Sequence, residues 1–431
     1  MSEDPVAAVW MLWTLAGATW IGVPIYAAVL GRRFYATFSG VILTFALPSA
    51  LILHSRLRDM TSAEWTSLLD FIFCYSMAVV GIQFTHLVRA RMRSSYFRWL
   101  VSVPAQTFVA GGMLATPWLL FLLPVRLLLG YLEFFQWEVA QIGWTLLEAL
   151  PLVVAGLSII TSMTARPETV RFRLSRNGPD EIQRVPVERF HGRPPEPLLE
   201  RPLRIVQISD THLGPWQSVP RLRSQIAGLV ARDPDLVMLT GDFLTMESMG
   251  SPGCLEEAMQ PLLPIADRCA AIFGNHDHEA PDHVRDAMAA IGIRLLIDDE
   301  SCFDTPIGRV QVVGSDYINK DRREHLDELL TRFPRRPDHL RLLLLHDPLG
   351  FHSLPDDDVD LVLSGHTHGG QIGLVSLGLD WTVLSPSRWP DQGLFARGAS
   401  RLYVHRGTGF YGFPLRVGVP AEHSVLEISP T

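Results

Sequence analysis

Paired cysteines, a basic stripe and a basic leader are all missing from this sequence of 431 residues. The four cysteines, Cys74, Cys254, Cys269 and Cys302, are scattered with no CxxC spacing, so no disulfide framework is encoded and a reducing compartment is permitted. Thirty-seven Lys and Arg face 45 Asp and Glu, a formal net charge of -8. That balance argues against a nucleic-acid partner and leaves carboxylates at which cationic metals can collect. The N-terminus reads Met-Ser-Glu-Asp, acidic where a secretory signal would be basic, so the first apolar run is expected to stay in the mature protein.

What is abundant is unevenly spread. The 48% hydrophobic content is concentrated in the first 165 residues, where long runs carry almost no charge. A bilayer core needs roughly 20 apolar residues in a helix. Five stretches come close, near 6–30, 36–53, 68–88, 102–124 and 142–163, the second interrupted by Pro48. With the N-terminus outside, the inside segments carry Arg32 and Arg33, then Arg89, Arg91, Arg93 and Arg98, then Arg166, Arg171, Arg173 and Arg176. Basic loops stay cytoplasmic, so the expectation is an integral inner-membrane protein whose C-terminal domain lies in the cytoplasm. Asp70 and His86 sit near the ends of their span and Glu148 reads as one lone carboxyl, so the spans are taken as an anchor rather than an ion path.

Residues 166–202 turn polar and proline-rich, ending in HGRPPEPLLERP, and read as a linker between an anchor over 1–165 and a catalytic domain over 203–431. In that domain short apolar runs alternate with helical patterns near 219–232, 254–267, 281–291 and 322–332, the pattern of an α/β fold. Further strands are expected near 372–384, 401–405 and 423–428.

The polar clusters fall where these runs end. LRIVQIS leads into Asp210 and His212, which two-residue alternation would place on one face of a strand. LVMLT leads into Gly241-Asp242, and AAIF into Gly274-Asn275-His276-Asp277. LRLLLLH ends in His346, and LVLSGHTHGGQ presents His366 and His368. A single strand-end histidine is usually structural, and a Gly-Asp pair is usually a turn. Five such ends in one domain are not explained by turns alone, and together they offer the mixed nitrogen and oxygen donors of a metal site.

The order Asp-x-His, Gly-Asp, Gly-Asn-His-Asp, strand-end His and Gly-His-x-His resembles the calcineurin-like metallophosphoesterases over roughly residues 203–428. GHTHGGQ and the later RGTGFYGFPLRVGVPAE look like the bacterial membrane-associated branch. The resemblance implies a layered β-sandwich flanked by helices, following the multi-pass α-helical membrane region. It implies two divalent metal ions, manganese, zinc or iron, with Asp210, His212 and His368 on one, Asn275, His346 and His366 on the other, and Asp242 bridging. A water activated between the metals would attack phosphorus, and His276, oriented by Asp277, would face the leaving oxygen. Arg406 and Arg416 are candidates for a second phosphate contact or for salt bridges. The implied activity is a phosphodiesterase, pyrophosphatase or phosphatase acting on a phosphorylated small-molecule or lipid substrate beside the membrane. A catalytically weak membrane sensor or scaffold is the alternative.

Overall fold

The computed structural model describes residues 5–164, 167–192, 198, 200–410, 412–413 and 415–429. The chain falls into two units, Met1–Ile160 with Gly412–Leu415, and Thr161–Tyr411 with Arg416–Thr431. Arg166 and residues 193–197 and 199 of the expected linker lie outside the described residues.

Among the described residues, five helices are long and apolar enough to cross a membrane: Ala7–Val29, Arg33–Met60, Ala63–Leu87, Ser95–Tyr131 and Glu138–Met163. The second runs on through Pro48, as a helix in a bundle can, where neighbouring hydroxyl donors and local adjustment take up the carbonyl a proline frees. Ser49 Oγ is 2.7 Å from the Gly112 carbonyl oxygen of the fourth helix. Gly112 itself is required there, since a Cβ would sit 2.3 Å from the Ala46 carbonyl oxygen.

The charged residues of these helices differ from expectation. Glu148 is not alone: Arg126 Nη1 lies 3.0 Å from both its oxygens, Arg56 pairs with it, and Trp144 Nε1 donates at 2.8 Å. Asp70 is buried against His54 Nε2 at 2.7 Å and Arg58 Nε at 3.3 Å. Neither carboxyl needs to reach the interface, because each has its counter-charge on a neighbouring helix. Glu148→Ala leaves two guanidinium groups without their shared partner and is expected to cost about 1–2 kcal/mol of bundle stability. Thermal unfolding of the detergent-solubilised protein, with Glu148→Gln as the milder comparison, measures this.

The second unit is a sandwich of two seven-stranded sheets. The first has the order β3 (Glu188–His191), β1 (Pro167–Arg173), β14 (His423–Ser429), β4 (Leu203–Ile208), β5 (Leu236–Leu239), β6 (Cys269–Ala271), β7 (Arg294–Leu295). The second runs β2 (Gln183–Val185), β12 (Gly393–Arg397), β13 (Ser400–Val404), β11 (Leu361–Ser364), β10 (His339–Leu344), β9 (Gly308–Gly314), β8 (Asp299–Thr305). β4 to β7 are mutually parallel, as are β9, β10, β11 and β13. Their sequences are unbroken apolar runs because both faces are covered. Inward, Ile205, Leu236 and Met238 meet Val312, Leu342 and Leu363. Outward, Leu222, Ile226 and Leu229 of helix Val219–Val230 cover one sheet, and Leu326, Leu329 and Leu330 of helix Arg322–Arg332 cover the other.

Two expectations need correction. The segment read as a linker supplies β1, β2 and β3, and β1 pairs along its whole length with β14. Its partner is remote in sequence and its short run is broken by arginines, so no local pattern announces it. Residues 372–384 form isolated bridges and the turn Val375–Leu377 instead of strands, with Gly373 and Gly378 interrupting the run.

Candidate active site

The parallel strands β4, β5, β10 and β11, with β6, all stop at one end of the sandwich, where chain ends collect polar groups. Asp210 and His212 follow β4, Asp242 follows β5, Asn275 and His276 follow β6, His346 follows β10, and His366 and His368 follow β11. The alternation argument for the first pair does not hold, because β4 ends at Ile208 and both residues are left-handed. Positive φ recurs at Asp210 (52°), His212 (41°), Asp242 (58°), His366 (70°) and His368 (51°). Side chains rarely tolerate that region, and such clusters of strain accompany functional sites. The packing that enforces it is tight: a Cβ on Gly365 would lie 2.1 Å from Asp210 Oδ2, and one on Gly274 would lie 2.2 Å from Asp242 Oδ1.

The result is two groups of donors, Asp210, His212 and His368, and Asp242, His346 and His366, each close enough to hold a metal ion. His212 Nε2 faces His368 Nε2 at 3.1 Å, and His366 Nδ1 faces His346 Nε2 at 3.3 Å. Asp242 lies between the groups, with Oδ2 3.7 Å from His212 Nε2 and 3.3 Å from His346 Nε2. His346 Nδ1 donates to the Thr240 carbonyl at 2.6 Å, which turns its Nε2 into the site.

Electrostatics in the protein alone are uneven. Burial pushes the Asp210 carboxyl up to about 6, with Asp242 adding repulsion. Burial also pulls His212 and His366 down to about 4 and lowers His368 well below its ordinary range. Burial acts against the charge of Asp242 too, but His346, His212 and His276 hold this carboxyl well below the usual range. Against the pull of burial, Asp242 raises His346 to about 10. Three neutral imidazoles and two buried carboxylates are the donor chemistry that a divalent cation fits. Asn275 Oδ1 fits it as well: it is buried, has no hydrogen-bond partner among the described residues, and its neighbour His276 donates its backbone N–H to Asp242 Oδ1 at 2.9 Å.

The remaining expected residues fall elsewhere. The Asp277 carboxylate is turned to backbone groups. It accepts the backbone N–H groups of Asp242 (2.7 Å), Gly274 (2.8 Å) and Phe243 (2.9 Å), pinning two site loops together. Glu279 takes the orienting position, with Oε1 2.8 Å from His276 Nδ1. The two lie three apart on a single helical turn, a spacing legible in GNHDHE. Arg406 is buried, paired with Glu168 and with Glu422, and Arg416 is fully buried, donating to the Arg406 carbonyl at 2.7 Å and facing His368 Nδ1 at 3.3 Å. Guanidinium groups already enclosed by protein acceptors cannot take up a solute phosphate, so both are structural. Tyr317 and Trp389 were not anticipated; their rings stand 6.2 and 6.4 Å from that of His366.

Residues 203–370 match the family described as calcineurin-like phosphoesterase. The uncharacterized metallophosphoesterase YkuE of Bacillus subtilis (strain 168) is 29% identical over 243 residues, 53% of this chain and 79% of that protein. The phosphodiesterase YaeI of Escherichia coli (strain K12) is 27% identical over 53% of this chain and 82% of its own length. A Bos taurus transmembrane protein with metallophosphoesterase domain is 28% identical over 57% of this chain and 56% of its own length. The second unit therefore carries a calcineurin-like phosphoesterase domain, and the first unit supplies the helices long and apolar enough to cross a membrane.

Proposed function

We propose that the chain is a metal-dependent phosphoesterase that hydrolyses phosphate mono- or diester or pyrophosphate bonds of a membrane-associated substrate. The observation that carries this reading is the convergence of two donor groups on Asp242. Asp210, His212 and His368 would hold one divalent cation, Asn275, His346 and His366 a second, with Asp242 shared. Two such cations, manganese, zinc or iron, would neutralise phosphoryl oxygens and acidify the attacking water.

Hydrolysis joins a water oxygen to phosphorus, breaks the bond to the leaving oxygen, and leaves that oxygen needing a proton. His276 is suited to supply it from Nε2, since Nδ1 is held by Glu279. Asp277 keeps the loops after β5 and β6 in register, and Arg416 braces His368. Glu279→Gln is expected to lower kcat about tenfold with little change in KM, with partial recovery in Glu279→Asp. The split between kcat and KM on bis(p-nitrophenyl) phosphate separates orientation from simple loss of binding.

The arginine-bearing loops support placing the catalytic unit in the cytoplasm beneath the inner membrane. A reporter active only in the periplasm, fused after residue 431, should stay silent. The main test is hydrolysis of a chromogenic diester and monoester by the purified full chain with manganese. Turnover abolished by a chelator and restored by metal is expected. Bound metal without turnover of any phosphoester would favour a membrane sensor or scaffold.

A further inference from the structure

In the catalytic unit, exposed large hydrophobic side chains are gathered in one place. Leu374, Leu377, Leu379, Trp381, Val383 and Trp389 are 38%, 75%, 54%, 46%, 43% and 38% exposed. Outside this segment, Leu263 alone joins them among the described residues of the unit. Isolated exposed leucines need no explanation, but a contiguous set on 16 residues marks an interaction surface.

The segment is built, not frayed. Leu374 N donates to the Trp381 carbonyl at 2.9 Å, Val383 N to Ile372 at 3.0 Å, and Ser376 N to Gly418 at 2.8 Å. Ser385 Oγ donates to the buried Asp391 at 3.1 Å, and Thr367 Oγ1 of the His366–His368 turn donates to the Asp391 carbonyl at 2.6 Å. With its backbone satisfied at the base, the segment turns its apolar side chains outward. It is also joined to the site. A Cβ on Gly370, two residues after His368, would be 3.0 Å from Val383 Cγ2, and Trp389 faces His366.

We propose that Leu374–Trp389 is an interfacial loop that dips into the lipid surface and makes the site select phosphoesters carrying apolar chains. The proposal rests on the phosphoesterase reading and names its substrate class. The occupant is the bilayer because the chain carries five helices able to cross one, so that surface is always at hand. Two tryptophans suit the headgroup level, where one ring edge is apolar and the other wet. Arg388, exposed and without a carboxylate partner among the described residues, complements anionic headgroups.

Two measurements on the full chain test this. In a Cys302→Ser background, Leu377→Cys and the control Leu263→Cys carry a spin label in nanodiscs of phosphatidylethanolamine and phosphatidylglycerol. The label at 377 should be open to oxygen and shielded from a water-soluble nickel relaxant, and that at 263 the reverse; equal access to the nickel agent at both sites overturns insertion. In parallel, kcat/KM for p-nitrophenyl hexadecyl phosphate should exceed that for bis(p-nitrophenyl) phosphate about tenfold, and Leu377→Asp with Trp381→Asp should erase that ratio while sparing the soluble diester. Insertion without chain preference overturns the substrate class. Inactivity of the unaltered chain on both diesters, on p-nitrophenyl phosphate and on pyrophosphate would instead sink the phosphoesterase reading, and the spin labels would still report whether the loop meets lipid.

Discussion

Asp242→Asn should abolish metal-dependent hydrolysis, by at least about 10³-fold, or roughly 4 kcal/mol of barrier. The Asp242 carboxylate approaches histidines of both donor groups, with Oδ2 3.7 Å from His212 and 3.3 Å from His346. An amide keeps the shape and loses the charge that would offset the proposed pair of cations. Metal content, read by elemental analysis of the purified variant, should fall with activity. Full metal loading with unchanged turnover would rule out the shared position. Fold integrity can be followed separately, because Asp242 lies at a loop and its backbone N–H is still held by Asp277.

The largest effect on stability is expected away from the chemistry, at Glu422. This fully buried carboxylate accepts from Tyr403 Oη, from Ser424 Oγ at 2.7 Å and from the Arg406 backbone N–H at 3.0 Å, with the Arg406 and Arg189 side chains at 3.7 and 3.8 Å. Burial alone would raise its pKa, but His405, Arg406 and Arg189 hold it well below the ordinary range. Removing one partner of a buried charge network strands the others, so Glu422→Ala should cost about 3–5 kcal/mol in urea unfolding of the second unit. The pH dependence has a definite sign. Since folding depresses this carboxyl, the unfolded chain protonates first as pH falls. Its contribution is complete above the ordinary glutamate range near about 4.3 and drains away below it. Glu422→Gln should flatten that acid limb.

Much of this organisation can be read from one sequence because the signals are local. A parallel strand buried on both faces is an unbroken apolar run, and the residue that follows it stands at the sandwich end; LRLLLLH and LVLSGHTH announce both at once. The five spans are equally plain, being composition extended over helix length. What escaped depends on distance along the chain. β1 pairs with β14 across some 250 residues, Glu148 finds Arg56 on another helix, and the burial of Arg406 follows from Glu168 and Glu422. The His276 partner is a different kind of miss. Asp277 is adjacent in sequence, but on a turn the residue three along, Glu279, shares the face, while Asp277 points to the backbone of neighbouring loops.

The position of β14 bears on how this protein must be made. It lies between β1 and β4 in its sheet, so a strand far along the chain separates two that leave the ribosome much earlier. Until β14 has cleared the exit tunnel, β1 and β4 each wait with an open edge. Assembly of this sheet is thereby deferred until β14 is made. Truncation ahead of β14 should yield an unfinished sheet and a polypeptide fit for proteolytic clearance.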